Sequence, residues 1–308
     1  MCGRGIDQVL AYPCSPELYE NYLRSAEDYV ALAEQANGRI PRRNGPSYIW
    51  GVALDEFARM RPNARIVNLE TAVTRSNDHA DKGINYRISA ENAGCLAAAK
   101  IDCCALANNH VLDWGQAGLL DTLATLERLN IKAAGAGKSA GEARAPAVLS
   151  LAGTRLLVFS YGAASSGVPP EWGATEKRPG VNLINGLSIR DAAKIAEEIA
   201  AFTAESEQLL GPTFMTAASA STRTNTEPNV VRTATTTERA KVANFIPDLL
   251  NSWPGSKESS KEKTGNLTYK YRAIPAQYLF PDVMTRNRHQ FPHLSIRLHA
   301  GSSHSAHG

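Results

Sequence analysis

The chain has 308 residues, 43% apolar and 20% charged, enough to bury a large core as one α/β domain or two smaller ones. A formal charge of +3 is close to balance and argues against a dedicated nucleic-acid binder; basic runs such as Arg39–Arg43, interrupted by Pro41, read as solvated loop charge. No segment approaches the roughly 18 continuous apolar residues of a membrane span, and no signal region opens the chain, so the cytoplasm is the default location.

In chain order, GRGID at 3–7 offers a Gly-x-Gly, but a phosphate cradle needs a strand before it and none is present; Asp7 reads as a surface charge. Residues 16–36 have the spacing of a helix, with Leu18, Tyr22, Tyr29, Leu32 and Ala33 on one side. A Gly-, Pro- and Arg-rich loop at 38–47 leads to a second helix over 48–59. The β-branched run ARIVNL at 64–69 predicts a buried strand. A helix over 90–99 is followed by a strand over 101–107. Leu119, Leu120, Leu123, Leu126 and Leu129 then form the buried stripe of a helix over 116–129. A weak strand at 131–136, two strands at 147–151 and 155–161 joined by a tight turn at Gly153, and a helix over 188–202 complete the series. Such alternation implies a largely parallel sheet covered on both faces.

From about Thr203 this rhythm is expected to stop. Residues 213–240 hold nine threonines without a period, 252–266 are polar, and only short apolar islands remain at 245–250 and 278–280. The reading is a domain over 1–202 and an irregular or disordered region over 203–308. Five cysteines (Cys2, Cys14, Cys95, Cys103, Cys104) without CxxC spacing read as buried free thiols, the adjacent Cys103 and Cys104 pointing to opposite faces. Five of the seven histidines (His289, His293, His299, His304, His307) fall in the last 20 residues, where adventitious metal affinity is the better explanation than a built site.

In an open α/β sheet ligands sit at the carboxyl ends of the strands. Two strand ends carry suitable groups: Asn68 and Glu70 in IVNLETAVT, and Asn108, Asn109 and His110 in CCALANNH. A carboxylate, amide oxygens and an imidazole suit Mn²⁺, Mg²⁺, Zn²⁺ or Fe, and a histidine beside a metal can instead donate a proton. The plainer explanation is local: asparagine makes Asx turns, and a lone glutamate can cap the next element. Spacing leaves turn and site evenly matched for Asn108–His110. Asp113 and Trp114 read as shaping the start of the next helix, and Tyr161 either lines a pocket or packs.

The stretches GRGIDQVL, IVNLETAVT, IDCCALANNHVLDWGQAGLLDTLATLERLNIKAAGAG and RLLVFSYG resemble the capsule-synthesis protein CapA family, associated with poly-γ-glutamate capsule biosynthesis. That resemblance covers about residues 3–200. It implies an α/β layered sandwich of metallophosphoesterase type with a metal cleft: Asn109, Glu70 and Asn68 on a divalent metal, and His110 as the catalytic residue. The family's first strand, ending in Gly-Asp, and its later His-Trp-Gly and Gly-His motifs have no counterpart here, so the cleft is expected to be incomplete. The expected function is capsule biosynthesis, with metal-dependent hydrolysis or transfer on an anionic polymer or a phosphoester, weak or absent in this form. The alternative is a non-catalytic binding or scaffold protein in polymer assembly.

Overall fold

The computed structural model describes residues 2–152, 154–186, 188–210, 214–220 and 232–235. Helix α1 (Gly5–Val9) occupies the GRGID segment. Helix α2 (Ala26–Asn37) is shorter than its apolar spacing suggests. The side chain of Ser25 accepts from Glu27 N and starts it, with Glu27 and Asp28 in its positively polarised first turn. Before Ser25 the chain is a closed loop, with Leu18 N bonded to Arg24 O and Ala26 N to Pro16 O. The predicted helix over 48–59 divides into a 3₁₀ turn (Tyr48–Trp50) and α3 (Ala53–Met60), separated at Gly51.

There follow β1 (Ile66–Asn68), β2 (Ala72–Val73), β3 (Arg87–Ile88), α4 (Gly94–Ala98), β4 (Cys103–Ala105) and α5 (Gly115–Arg128). Next come β5 (Lys132–Ala134), β6 (Ala136–Gly137), α6 (Ala140–Arg144), β7 (Ala147–Leu151) and β8 (Thr154–Ala163). The series ends with β9 (Gly180–Val181), β10 (Leu183–Ile184), α7 (Ile189–Leu210), β11 (Phe214–Ala220) and β12 (Arg232–Thr235). The chain is α/β, as expected, but its core is two sheets rather than one. The first is parallel in the order β1-β4-β5, and the second is mixed in the order β10-β8-β11-β12 with β7 antiparallel to β8.

The alternation of side chains along two strands builds the layers. Cys103 faces Leu149, Leu156 and Val158 between the sheets, whereas Cys104 faces Leu106, Leu119 and Leu126 on the side of α5. Along β8, Leu156 and Val158 point to the first sheet, and Leu157, Phe159 and Tyr161 point to Ile199 of α7. The order is helix, sheet, sheet, helix. Tyr161 therefore packs, stacked near Phe159 at 6.4 Å, and burial pushes its phenol pKa up. All five cysteines are buried and free, and burial raises the Cys103 thiol to about 12.

The expectation that the rhythm stops near Thr203 is corrected here. Helix α7 runs to Leu210, and β11 then lies parallel to β8 from Phe214↔Arg155 to Ala220↔Tyr161, a further helix-then-strand unit. Alanine obscured it, because three of the seven residues of β11 are alanine, which is depleted in strands. Gly153, the apolar islands at 245–250 and 278–280, the polar stretch at 252–266 and the five C-terminal histidines lie outside the described residues.

Candidate active site

The strand ends of the first sheet converge where β1 and β4 stop. Leu69 N donates to Ala105 O (3.0 Å) and Leu106 N to Ala134 O (2.9 Å), after which the ladders end. Asn108, fully buried, closes the turn: its Oδ1 accepts from His110 N at 3.0 Å, an Asx turn. Its Nδ2 donates to Asn68 Oδ1 and to Leu69 O, both at 3.0 Å. Asn68 Nδ2 in turn donates to Glu70 Oε1 at 2.9 Å. Turn and site thus share the NNH stretch: Asn108 is structural and ties the two strand ends, while Asn109 and His110 remain half-buried at the mouth.

His110 is held by residues that local spacing does not assign to it. Its Nδ1 lies 2.7 Å from Oδ2 of Asp113, a carboxylate with no exposed surface. An ionised carboxylate only accepts, so Nδ1–H donates to it and Nε2 carries the lone pair, which receives Asn109 Nδ2–H at 3.3 Å. Asp113 also accepts from Tyr86 N (2.6 Å) and from the Lys82 ammonium (2.7 Å). Lys82 Nζ donates to Asn109 O as well, and it lies 5.3 Å from the Trp172 ring centroid. The Tyr86 ring meets His110 edge-on at 4.6 Å. Arg4 donates to the Tyr86 hydroxyl (2.9 Å) and pairs with buried Glu20. Asp113, read from the sequence as shaping the start of the next helix, is instead a partner of His110. The only signal that could have found it is its position three residues on. Trp172 stands out only as a lone aromatic in GVPPEWG. Lys82 and Tyr86 carry no local signal.

Asp7 is not a surface charge, and this corrects the expectation. It is buried, with Oδ2 accepting from Cys14 N (2.6 Å) and Oδ1 from Asn92 Nδ2 (2.7 Å) and Ser89 N (3.2 Å). Burial pushes its pKa up against the opposing pull of those three donors. GRGID is likewise no phosphate cradle. Gly3 is needed because a Cβ there would sit 2.4 Å from Arg87 O, where the chain packs on β3.

A divalent metal is tested by the donors present. Glu70 and Asn109 offer a carboxylate and an amide oxygen, but Asn68 already uses both ends of its amide on Glu70 and Asn108. No group of three His, Cys, Asp or Glu side chains is close enough to share an ion among the described residues. The Lys82 ammonium, 3.4 Å from His110 Nδ1, adds a positive charge at the same place. These residues do not by themselves fit a two-metal centre, which draws ligands from several strands.

No described helix is long and apolar enough to cross a membrane. Among curated proteins the chain is similar to the probable polyglutamine synthesis accessory proteins of two Mycobacterium tuberculosis strains, CDC 1551 / Oshkosh and ATCC 25618 / H37Rv. Each is 42% identical over 203 residues, covering 65% of this chain and 53% of the relative. The chain therefore spans about half the length of these relatives. Residues 1–234 match the family described as bacterial capsule synthesis protein PGA_cap, so that the match runs through α7 and β11. With most of its length, the NNH strand end included, inside that match, the chain belongs to the bacterial capsule synthesis protein family PGA_cap.

Proposed function

We propose that the chain serves capsule polymer synthesis through an acid–base site at His110, acting on an anionic substrate, an acidic polymer or a phosphoester. The observation that carries this reading is the 2.7 Å contact of His110 Nδ1 with the buried Asp113 carboxylate. Asp113 fixes the ring's tautomer and orientation, and it stabilises the imidazolium when the ring takes up a proton. Neutral His110 accepts a proton at Nε2 from an attacking group, displacing the Asn109 amide. As imidazolium it returns that proton to a leaving group. Glu70 and Asn109 would be the ligands of any divalent ion recruited to the mouth, and none of these steps is routed through one.

Turnover of bis(p-nitrophenyl) phosphate and of γ-glutamyl p-nitroanilide, with and without added Mn²⁺, tests the proposal. Low turnover that falls by about 10²-fold in His110→Ala, with unchanged thermal stability, is expected. Equal turnover in the two proteins would sink it. Stoichiometric bound metal with fast turnover lost in His110→Ala would replace it with a complete metal centre.

A second reading is polymer binding without turnover, favoured by the engagement of both ring nitrogens, Nδ1 by Asp113 and Nε2 by Asn109. If Asn109→Ala and His110→Ala leave polymer binding unchanged, the mouth is not the binding surface.

A further inference from the structure

The Gly-Arg-Gly at 3–5 is no phosphate cradle, yet its packing demands those residue types. Gly3 lies against Arg87 O, and a Cβ on Gly5 would lie 3.1 Å from Tyr29 Cβ on α2. The chain therefore threads between a strand and a helix with a single side chain, that of Arg4, between two glycines. Arg4 N donates to Arg87 O at 3.2 Å. Its backbone stands at φ 57° and ψ −126°, a conformation that favours glycine.

The guanidinium that this backbone delivers is heavily engaged. It lies 4.2 Å from the Tyr29 ring centroid and 4.9 Å from that of Tyr86. Nη1 donates to the Tyr86 hydroxyl at 2.9 Å, and Nη2 pairs with Glu20, whose side chain is only 1% exposed. Glu20 Oε2 also accepts from the Tyr29 hydroxyl at 2.5 Å. A positive φ and a buried ion pair each cost stability that a glycine beside apolar neighbours would not. Such costs gather at functional sites.

Tyr86 links this cluster to His110. Its N–H donates to Asp113 Oδ2, and its ring meets the imidazole at 4.6 Å with the planes 83° apart. Asp113 fixes Nδ1, but one bond at Nδ1 leaves the imidazole free to tilt about it. The Tyr86 ring removes that freedom if its own position is fixed. Trp114 Nε1 and Ala72 N donate to Tyr86 O at 3.2 and 3.1 Å, which holds the backbone but not the ring. The bond from Arg4 to the hydroxyl holds the ring.

We infer that Arg4 is a positioning residue for His110, acting through Tyr86. The inference rests on the reading of His110 as the acid–base group, and it assigns Arg4 no contact with the reacting atoms.

The test is proton NMR of the full chain at about pH 8.5, where an ordinary imidazole is neutral and a shift reports geometry. The His110 ring resonances are those missing in His110→Ala, and the ring current of Tyr86 displaces them. Arg4→Met alone would leave Glu20 buried without its counter-ion, so it is combined with Glu20→Gln. Tyr86→Phe cuts the same link while keeping the ring and the ion pair. In both proteins the His110 resonances are expected to move while the core methyl resonances stay in place. Turnover of bis(p-nitrophenyl) phosphate should show kcat lowered about tenfold and KM unchanged. Unmoved His110 resonances in either protein overturn the inference, and Tyr86→Phe decides alone where the double variant does not fold. A change confined to KM overturns it too. Equal turnover of wild type and His110→Ala sinks the acid–base reading instead, and the resonances then decide whether Arg4 holds the ring.

Discussion

Asp113 meets three donors with two oxygens: the Nδ1–H of His110, the backbone N–H of Tyr86 and the ammonium of Lys82. Asp113→Asn keeps the shape but replaces one acceptor oxygen with a donor, which then faces another donor. A loss of about 1–3 kcal/mol in urea unfolding is expected. The imidazole should also change tautomer, which ¹⁵N chemical shifts read directly: Nε2 is the unprotonated nitrogen in wild type and loses that signature in the variant. An unchanged nitrogen pattern would remove Asp113 from the role of orienting His110. Asp7 gives a prediction of opposite character. Burial raises its pKa, so the native chain holds that proton more tightly than the unfolded chain does. The stability from this group is therefore fully present below the ordinary aspartate value of 3.8 and is lost as pH rises through the folded value. Asp7→Asn cannot titrate, so wild type should gain on the variant in urea unfolding as pH falls from 7 to 4. A wild type that instead loses ground over that interval would contradict the burial argument.

At the scale of elements, what the sequence shows depends on length and on chemistry. The stripe of α5 was legible because burial of one face repeats along it, with Leu119 and Leu126 fully buried, although Leu120, expected in that stripe, is exposed. The β-branched run marked β1, but its three residues are half-buried rather than buried as expected. The two-residue strands β2, β3, β6, β9 and β10 were not legible, since a pair of residues has no period. The candidate site divides in the same way. Asn68, Glu70, Asn109 and His110 stand at strand ends that the pattern marks, and the resemblance to a capsule-synthesis family assigned them roles. Lys82 and Tyr86 reach His110 from 28 and 24 residues away, through loops whose paths are set by tertiary contacts. Strand β11 was hidden by composition, yet its backbone bonds to β8 on one side and to β12 on the other. A proline is not tolerated in such a central strand, because it removes a ladder donor. Ala217→Pro, at the register position opposite Val158, should therefore destabilise the chain by roughly 2 kcal/mol or more, read from the urea midpoint. A variant as stable as wild type would mean that β11 adds nothing to the sheet.

The molecule as a whole is held together through β8, which has β7 antiparallel on its first half and β11 parallel along seven register positions. Its two faces serve different layers, one packed on the first sheet and the other on α7. Cutting the chain at residue 202 would remove the last turns of α7 and all of β11. It would leave β8 with a long unpaired edge, although Ile195, Ile199 and Phe202, which cover its outer face, would remain. Such an edge is a template for pairing with another chain. A fragment of residues 1–202 should consequently elute as oligomers or aggregates in size exclusion, whereas one of residues 1–235, which keeps β11 and β12, should remain monodisperse. The same comparison bears on the chemistry, because β8 also carries Ser160, whose Oγ accepts from Ala107 N at 3.3 Å directly before Asn108. If the shorter fragment stays monodisperse and keeps the His110 tautomer of the full chain, neither the second sheet's outer strands nor their hold on β8 is needed to set the site. If it loses both together, the NNH turn depends on strand pairing made more than 100 residues later in the chain.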